Sequence, residues 1–163
     1  MSEADLLATC RAGPDLFPAL DQALDHLIGH KLFTLMAIDW PRGEAARIYT
    51  NMPDDYPVGG RKPLGALTEW GKIVLEDRQP WIAYSSEDIE GAFFDHELIA
   101  QLGCASCLNV PVIDTAATGG ARVIGTVNML HEAGHYNEQH AARTAPFAEL
   151  LVQPYRDWAF ASR

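Results

Sequence analysis

The sequence predicts an α+β domain in which an antiparallel sheet of five to six strands is flanked by helices. Strand-like runs follow one another with short turns between them, which is typical of hairpins rather than of parallel crossovers. Segments with apolar residues at helical spacing lie before the first of these runs and after the last. A sheet with helices packed on it is the architecture that this order favours.

The first part of the chain predicts a helix followed by a hairpin. Asp15 follows a Gly-Pro break and is a good helix N-cap, and Gly29 is a typical stop signal. The apolar residues that share one face of this helix are Leu16, Leu20, Leu24, Leu27 and Ile28. Lys31 to Trp40 predicts a buried strand, and Ala46 to Asn51, after a Pro-Gly turn, predicts its partner.

The middle of the chain is less regular. The predicted elements are a loop from Met52 to Gly65, a short helix from Thr68 to Arg78, a strand from Trp81 to Tyr84, an irregular segment from Ser85 to Phe93, and a helix from Asp95 to Leu102. Pro80 and Gly103 provide the stops of the two helices.

The most informative stretch runs from Ala105 to Leu130. Two strand-like runs flank a small polar loop that contains two adjacent glycines, which predicts a hairpin with a loop longer than two residues. The last segment, from near Asn137 toward Phe160, is amphipathic and helical. Pro146 and Pro154 lie inside it, and each should kink it or restart the helix.

The stretch from Ser106 to Leu130, with Tyr136 and the terminal helix, resembles the GAF domain family. The order of elements fits that family from about Asp15 to Trp158 of a single domain, residues 1–163. The resemblance implies a profilin-like sheet that packs one face on the first and last helices. It implies that the other face encloses a ligand pocket under the middle loops and a short helix. It also implies a homodimer formed through the terminal helices.

Composition and charge narrow the function classes. The chain has 163 residues, of which 48% are hydrophobic and 21% charged, as in ordinary globular domains. A net charge of −10 argues against nucleic acid and anionic membranes as partners, because both bind basic surfaces. The N-terminus lacks the features of a secretory signal, and three cysteines indicate a reducing compartment without disulfides. We therefore expect a cytoplasmic protein.

The segment from His131 to His135 matches the zinc-protease motif H-E-x-x-H. That chemistry needs a helix, so that both histidines lie on one face beside the metal. Here the motif directly follows a predicted strand and contains Gly134, which predicts a strand-to-helix loop. We expect no metal and no cofactor.

Cys104 and Cys107 form a C-x-x-C pair that leaves a second interpretation open. The free methionine-R-sulfoxide reductases are enzymes built on a GAF domain, and the resemblance would place their two cysteines at Ala100 and near Leu64. Neither position carries a cysteine here, but Cys104 or Cys107 could substitute as the nucleophile. The alternative function is therefore a thiol-dependent redox enzyme, beside the default of buried structural thiols.

Two ligand-binding subgroups of the family fit less well. Asn128 and Tyr136 match the pattern of cyclic-nucleotide-binding relatives, whereas Met129 and the pair His140-Ala141 depart from it. Bilin-binding relatives need a cysteine in the helical segment before the hairpin, and Asp95-His96 lies there without one. These departures favour an unknown small molecule bound without a covalent link.

A set of aromatic and polar residues is predicted to line the pocket, because small-molecule sites combine apolar walls with a few polar anchors. Strand alternation places Cys107 and Asn109 on one face, opposite Leu108 and Val110. The predicted ligand-binding residues are Trp40, Trp81, Tyr84, Phe93, His96, Cys107, Asn109 and Asn128. Arg61-Lys62 could receive an anionic ligand group, but a solvated loop is the favoured explanation of the pair.

The predicted function is a non-catalytic, small-molecule-binding sensory or regulatory domain that acts as a dimer and signals to a protein partner. A third alternative is a dimerisation module whose cavity is filled by its own side chains.

Overall fold

The computed structural model describes residues 1–64 and 68–162, and in it six antiparallel strands form one sheet. The strands are β1 (Leu32–Asp39), β2 (Glu44–Thr50), β3 (Arg61–Pro63), β4 (Trp81–Ala83), β5 (Ser106–Asp114) and β6 (Arg122–His131). Their order across the sheet is β3-β2-β1-β6-β5-β4. The predicted α+β class and the predicted number of strands are confirmed.

Helices cover both faces of this sheet. They are α1 (Glu3–Ala12), α2 (Leu16–Leu27), α3 (Glu69–Gly71), α4 (Ser86–Ala92), α5 (His96–Gln101), α6 (Glu138–Glu149) and α7 (Val152–Ala161). α3 continues directly into a π-helical segment, Lys72–Glu76. Among the described residues, the helices are too short or too polar for any of them to cross a bilayer.

Strand β1 shows why the two sheet faces differ. Phe33 and Leu35 face the helices at the chain ends and are fully buried against side chains such as Leu24, Phe147 and Tyr155. Residues of the opposite parity face the other side, over which the middle of the chain folds. Burying one such large apolar side chain stabilises the fold by roughly 1.5–3 kcal/mol, so the helix-covered face is a main source of stability.

A close approach at Gly125 fixes α7 against the sheet. A Cβ atom at this position would lie 2.1 Å from Cε2 of Tyr155 and 2.4 Å from the carbonyl oxygen of Met36. The Tyr155 ring is fully buried, and its hydroxyl donates to the carbonyl of Thr126 at 3.0 Å. Only glycine lets the ring and the strand approach this closely.

Three elements differ from the sequence prediction. The segment predicted as irregular between Ser85 and Phe93 is helix α4, whose N-cap side chain, Ser85, accepts from the amide of Asp88. The loop predicted from Met52 to Gly65 contains the edge strand β3, and Gly65 itself lies outside the described residues. A helix that the sequence did not predict, α1, begins with a capping box between Ser2 and Asp5.

The terminal helical segment is divided into two helices. α6 continues through Pro146 and ends at Glu149, so the helix does not restart at Pro146. α7 begins at Val152, which places Pro154 in the first turn, where its missing N–H removes no helical hydrogen bond. The predicted restart is therefore confirmed near Pro154. The predicted stop of α2 at Gly29, where φ is +96°, is also confirmed.

Candidate ligand-binding site

A cavity of about 120 Å³ lies on the sheet face away from the terminal helices. Its floor consists of alternate residues of β1, β5 and β6, among them Thr34, Met36, Ile38, Asn109, Thr126 and Asn128. Its walls come from the middle of the chain, among them Tyr56, Lys62, Trp70, Phe93, Phe94 and Ile99. The same period-two alternation that buries the opposite face against helices therefore builds this floor.

Two asparagines form a polar line across the floor. They lie opposite each other on β5 and β6, and Nδ2 of Asn109 donates to Oδ1 of Asn128 at 2.7 Å. Nε1 of Trp70 donates to Oδ1 of Asn109 at 2.9 Å, and Asn128 donates to the Thr34 hydroxyl at 3.2 Å. These bonds hold the two amide side chains in fixed orientations on the cavity floor.

Charged residues lie at one wall of the cavity, and we call Arg47, Tyr56, Lys62 and Asp95 the buried charge group. Tyr56 and Lys62 line the cavity, and Arg47 and Asp95 lie behind them. Arg47 and Tyr56 are buried, and Lys62 and Asp95 are partly buried. Nζ of Lys62 lies 2.8 Å from Oδ2 of Asp95 and donates to the Tyr56 hydroxyl at 2.6 Å. The Tyr56 hydroxyl in turn donates to Oδ2 of Asp95. The guanidinium of Arg47 stacks on the Tyr56 ring, with Cζ 3.4 Å from the ring centre.

Burial and charge set the protonation of this group. Burial lowers the pKa of the Lys62 ammonium, and the nearby Asp95 carboxylate only partly offsets this. Burial by itself would raise the pKa of Asp95, but the charge and hydrogen bond of Lys62, together with hydrogen bonds from Tyr56 and the backbone, outweigh it and hold that pKa below its usual range. Burial and the bond to Asp95 both raise the pKa of Tyr56. At neutral pH the carboxylate is ionised and the phenol is neutral.

The structure brings three of the eight predicted ligand-binding residues to the cavity wall: Phe93, Asn109 and Asn128. Trp81 packs edge-on against Phe93, with ring centres 5.6 Å apart, and lines a surface depression beside the cavity together with Tyr84. The predicted strand alternation is confirmed, because Asn109 faces the cavity and Leu108 faces the helices.

The remaining three predicted residues line neither the cavity nor this depression. Cys107 is buried beside the cavity in a small cluster with Cys104. Trp40 follows the last residue of β1, and the turn that begins there carries its ring to an open groove beside α7, where Nε1 donates to the carbonyl of Val123. His96 starts α5, whose contribution to the wall comes from Ile99 one turn later.

Arg61 and Lys62 lie next to each other in strand β3, and their side chains point to opposite sides of it. Lys62 turns into the cavity, whereas Nη1 of Arg61 lies 3.2 Å from the Asp39 carboxylate and 3.4 Å from that of Glu44. The alternation of a strand would have separated the two residues, but the edge strand was not recognised in the sequence. Tyr56, Trp70 and Asp95 also belong to the site and were not predicted from the sequence.

The cysteines lie in an environment that opposes nucleophilic chemistry. The exposed fraction is 3% for Cys104 and 1% for Cys107, and neither forms a disulfide. Burial raises the pKa of Cys104, and burial raises that of Cys107 to about 12. Since the thiolate is the reactive form, the raised pKa values disfavour nucleophilic chemistry by either side chain at neutral pH.

The H-E-x-x-H segment is not helical, as predicted. His131 ends β6, a turn follows, and the rings of His131 and His135 stack with centres 4.0 Å apart. Within residues 1–64 and 68–162, no three metal-ligating side chains are arranged to hold an ion.

Together, fold and cavity define the chain as a sheet domain of the profilin-like kind, with end helices on one face and a small-molecule-sized cavity under the other. Solved GAF domains share this architecture. The GAF domain of a phosphoenolpyruvate-protein phosphotransferase from Coxiella burnetii superposes with a TM-score of 0.69 at 19% identity, covering 98% of this chain and 93% of that one.

Two further solved structures are similar. The GAF domain of a two-component sensor histidine kinase from Bacillus halodurans gives a TM-score of 0.64 at 13% identity, covering 100% of this chain and 99% of that one. A far-red cyanobacteriochrome photoreceptor superposes with a TM-score of 0.67 at 12% identity, covering 94% of this chain and 93% of that one. This chain therefore has the GAF-domain fold. A scan against protein-family models gives no match, and neither does a search of curated protein sequences.

Proposed function

We propose that this chain is a single domain, residues 1–163, that binds a small molecule without a covalent link and acts as a sensory or regulatory domain in the cytoplasm. The observation that carries the proposal is the cavity, whose apolar walls surround a few fixed polar groups. Sites for small molecules have this composition, because apolar walls give binding energy and polar groups give orientation. The amide of Asn109 and the ammonium of Lys62, which both line the cavity, supply the orientation.

The structural neighbours support a sensory role. Two of them come from a sensor histidine kinase and from a photoreceptor, and both proteins are named for sensing. The buried, protonated thiols of Cys104 and Cys107 give the alternative of a redox enzyme no support.

The signal would travel through the strands that the cavity and the terminal helices share. Thr126 lines the cavity, and its carbonyl accepts the hydroxyl of Tyr155 on α7. A ligand that fits one position of this strand better would shift the helix with it, since a ligand favours the conformation that it binds more tightly. We propose that the terminal helices form a homodimer and that a protein partner receives the signal. The side chain of Phe160 near the end of α7 is 79% exposed, which supports an interface there.

Native mass spectrometry of the purified protein tests the binding proposal. We expect an added small-molecule mass that denaturation removes, or a rise in melting temperature with members of a small-molecule library. The matched variants are Ala45→Leu, which fills the cavity, and Ala116→Leu, the same change at an exposed loop position. Binding should be lost only in Ala45→Leu. Equal binding by both variants, or no binding by the wild-type protein in either assay, would contradict the proposal.

A further inference from the structure

We propose that the ligand of this cavity is a small organic acid whose carboxylate accepts a hydrogen bond from Lys62 and whose body is no larger than one six-membered ring. This inference rests on the proposed function and adds the chemical class of the ligand. It depends on three observations: the charge balance of the wall, the unused donor of Lys62 and the size of the cavity.

The buried charge group holds two cations and one carboxylate. Arg47 is nearly inaccessible, with 5% of the residue exposed, and its Nη1 donates to the carbonyl of Pro57 at 2.8 Å. Its Nε is buried without a hydrogen-bond partner among the described residues, and so is Oδ1 of Asp95. No carboxylate of residues 1–64 or 68–162 lies within 4.0 Å of this guanidinium, whereas Lys62 shares Asp95 with Tyr56. Buried charges are costly unless they are paired, so the group has one positive charge that a monoanion would balance.

Lys62 has a donor left for that anion. An ammonium carries three N–H donors, and the described residues use two of them, toward Asp95 and Tyr56. The ammonium lies 5.2 Å from the ring centre of Phe93 and 5.8 Å from that of Phe94, so aromatic rings shield it. A hydrogen bond between two charged groups is stronger than a neutral one, and stronger again away from water.

The size of the cavity limits the body of the ligand. Its volume of about 120 Å³ is close to the ~150 Å³ of an engineered apolar cavity that binds benzene. A purine nucleotide or a tetrapyrrole is far larger, whereas a single ring or a short branched chain fits. Met36, Ile38 and Leu130 offer such a body an apolar surface.

Calorimetry with matched probes tests the inference. The probes are benzoate, cyclohexanecarboxylate and 4-methylpentanoate, each compared with its primary amide, and 2-naphthoate as a probe of size. We expect each small acid to bind more tightly than its amide, and 2-naphthoate to bind at least tenfold more weakly than benzoate. Lys62→Met should weaken the acids about tenfold and leave the amides unchanged, because the substitution removes one charge-assisted hydrogen bond.

The control variant is Arg61→Met, which removes a neighbouring cation outside the cavity and should change neither class of probe. The double variant Lys62→Met/Asp95→Asn keeps the test valid if the single variant leaves Asp95 unpaired and unfolds. Amides that bind as tightly as the acids, or acids that bind equally to wild type and Lys62→Met, would overturn the ligand class while the proposed function stands. If neither acids nor amides bind, the inference fails, and the native mass spectrum separately decides the proposed function.

Discussion

The two faces of the sheet use the same strands for different purposes. Among the described residues, the face under α1, α2, α6 and α7 joins 20 buried apolar residues in one cluster, whereas the cluster beside the cavity has 8. The cavity face also carries polar residues that are buried and hydrogen-bonded to one another, such as Asn109 and Asn128. One face is therefore packed for stability. The other leaves space and one N–H of Lys62 that the described residues do not use, which suits ligand binding at a cost in stability.

The largest effect should come from a substitution that closes the tight contact on the packed face. Gly125→Ala would place a Cβ against the buried Tyr155 ring and the Met36 carbonyl, and neither can move freely. We expect at least about 3 kcal/mol of lost stability or failure to fold, measured by urea unfolding. The matched control is Gly91→Ala in helix α4, where nothing lies within 4 Å of the new Cβ. Stability equal to wild type in Gly125→Ala would contradict the close packing of α7.

A pair of neighbours on β1 compares the faces directly. Leu35 is fully buried on the helix face, and Met36 borders the cavity with 8% of its surface exposed. Leu35→Ala should cost about 3–4 kcal/mol, because it opens a void in a packed core. Met36→Ala should cost about 1–2 kcal/mol, because it enlarges a space that already exists. Equal losses in denaturant unfolding would show that the two faces are packed alike.

The buried charge group should give the next largest effect. Lys62→Met leaves the Asp95 carboxylate without its cation, and we expect roughly 2–3 kcal/mol of lost stability at neutral pH. The double variant Lys62→Met/Asp95→Asn removes the unpaired charge and should recover more than half of that loss. A double-mutant cycle of unfolding free energies measures this coupling. Additive losses would mean that the two side chains do not interact.

The pH dependence of this group should be the smallest of these effects. Because the folded protein holds the pKa of Asp95 below its ordinary value, the carboxylate contributes stability that is present above the pKa of the unfolded chain. The contribution is lost as the pH falls through the lowered pKa. The difference in unfolding free energy between wild type and Asp95→Asn should therefore be constant near neutral pH and shrink below about pH 4. If this free-energy difference grew on acidification, folding would raise the pKa of Asp95 and not lower it.

The regular part of the site could be predicted from the sequence. Alternation along the strands of the central hairpin placed Asn109 on the cavity side, and the prediction that the same face would carry Asn128 was also correct. The covering segments could not be predicted, because they have no period to follow. Tyr56 lies in a turn, and Lys62 lies on a strand of only three residues.

The sequence prediction was also incomplete or wrong for Trp70, helix α4 and Trp40, each for a local reason. Trp70 comes from a single helical turn that changes to π-helix, so its direction could not be taken from a regular helix. Helix α4 had a readable signal, because Ser85 and Asp88 stand at the spacing of an N-terminal cap. Trp40 has the parity of the cavity-facing residues, but the strand ends one residue before it, so alternation no longer applies.

Nuclear magnetic resonance tests the central claim, that the cavity and not another surface is the ligand site. Backbone amide shifts would be followed while benzoate or a ligand found by native mass spectrometry is added. We expect the largest shifts at Thr34, Asn109 and Thr126, and we expect Ala45→Leu to abolish them. Shifts centred on the open groove at Trp40 and Arg122, or shifts that persist in Ala45→Leu, would show that the ligand binds elsewhere.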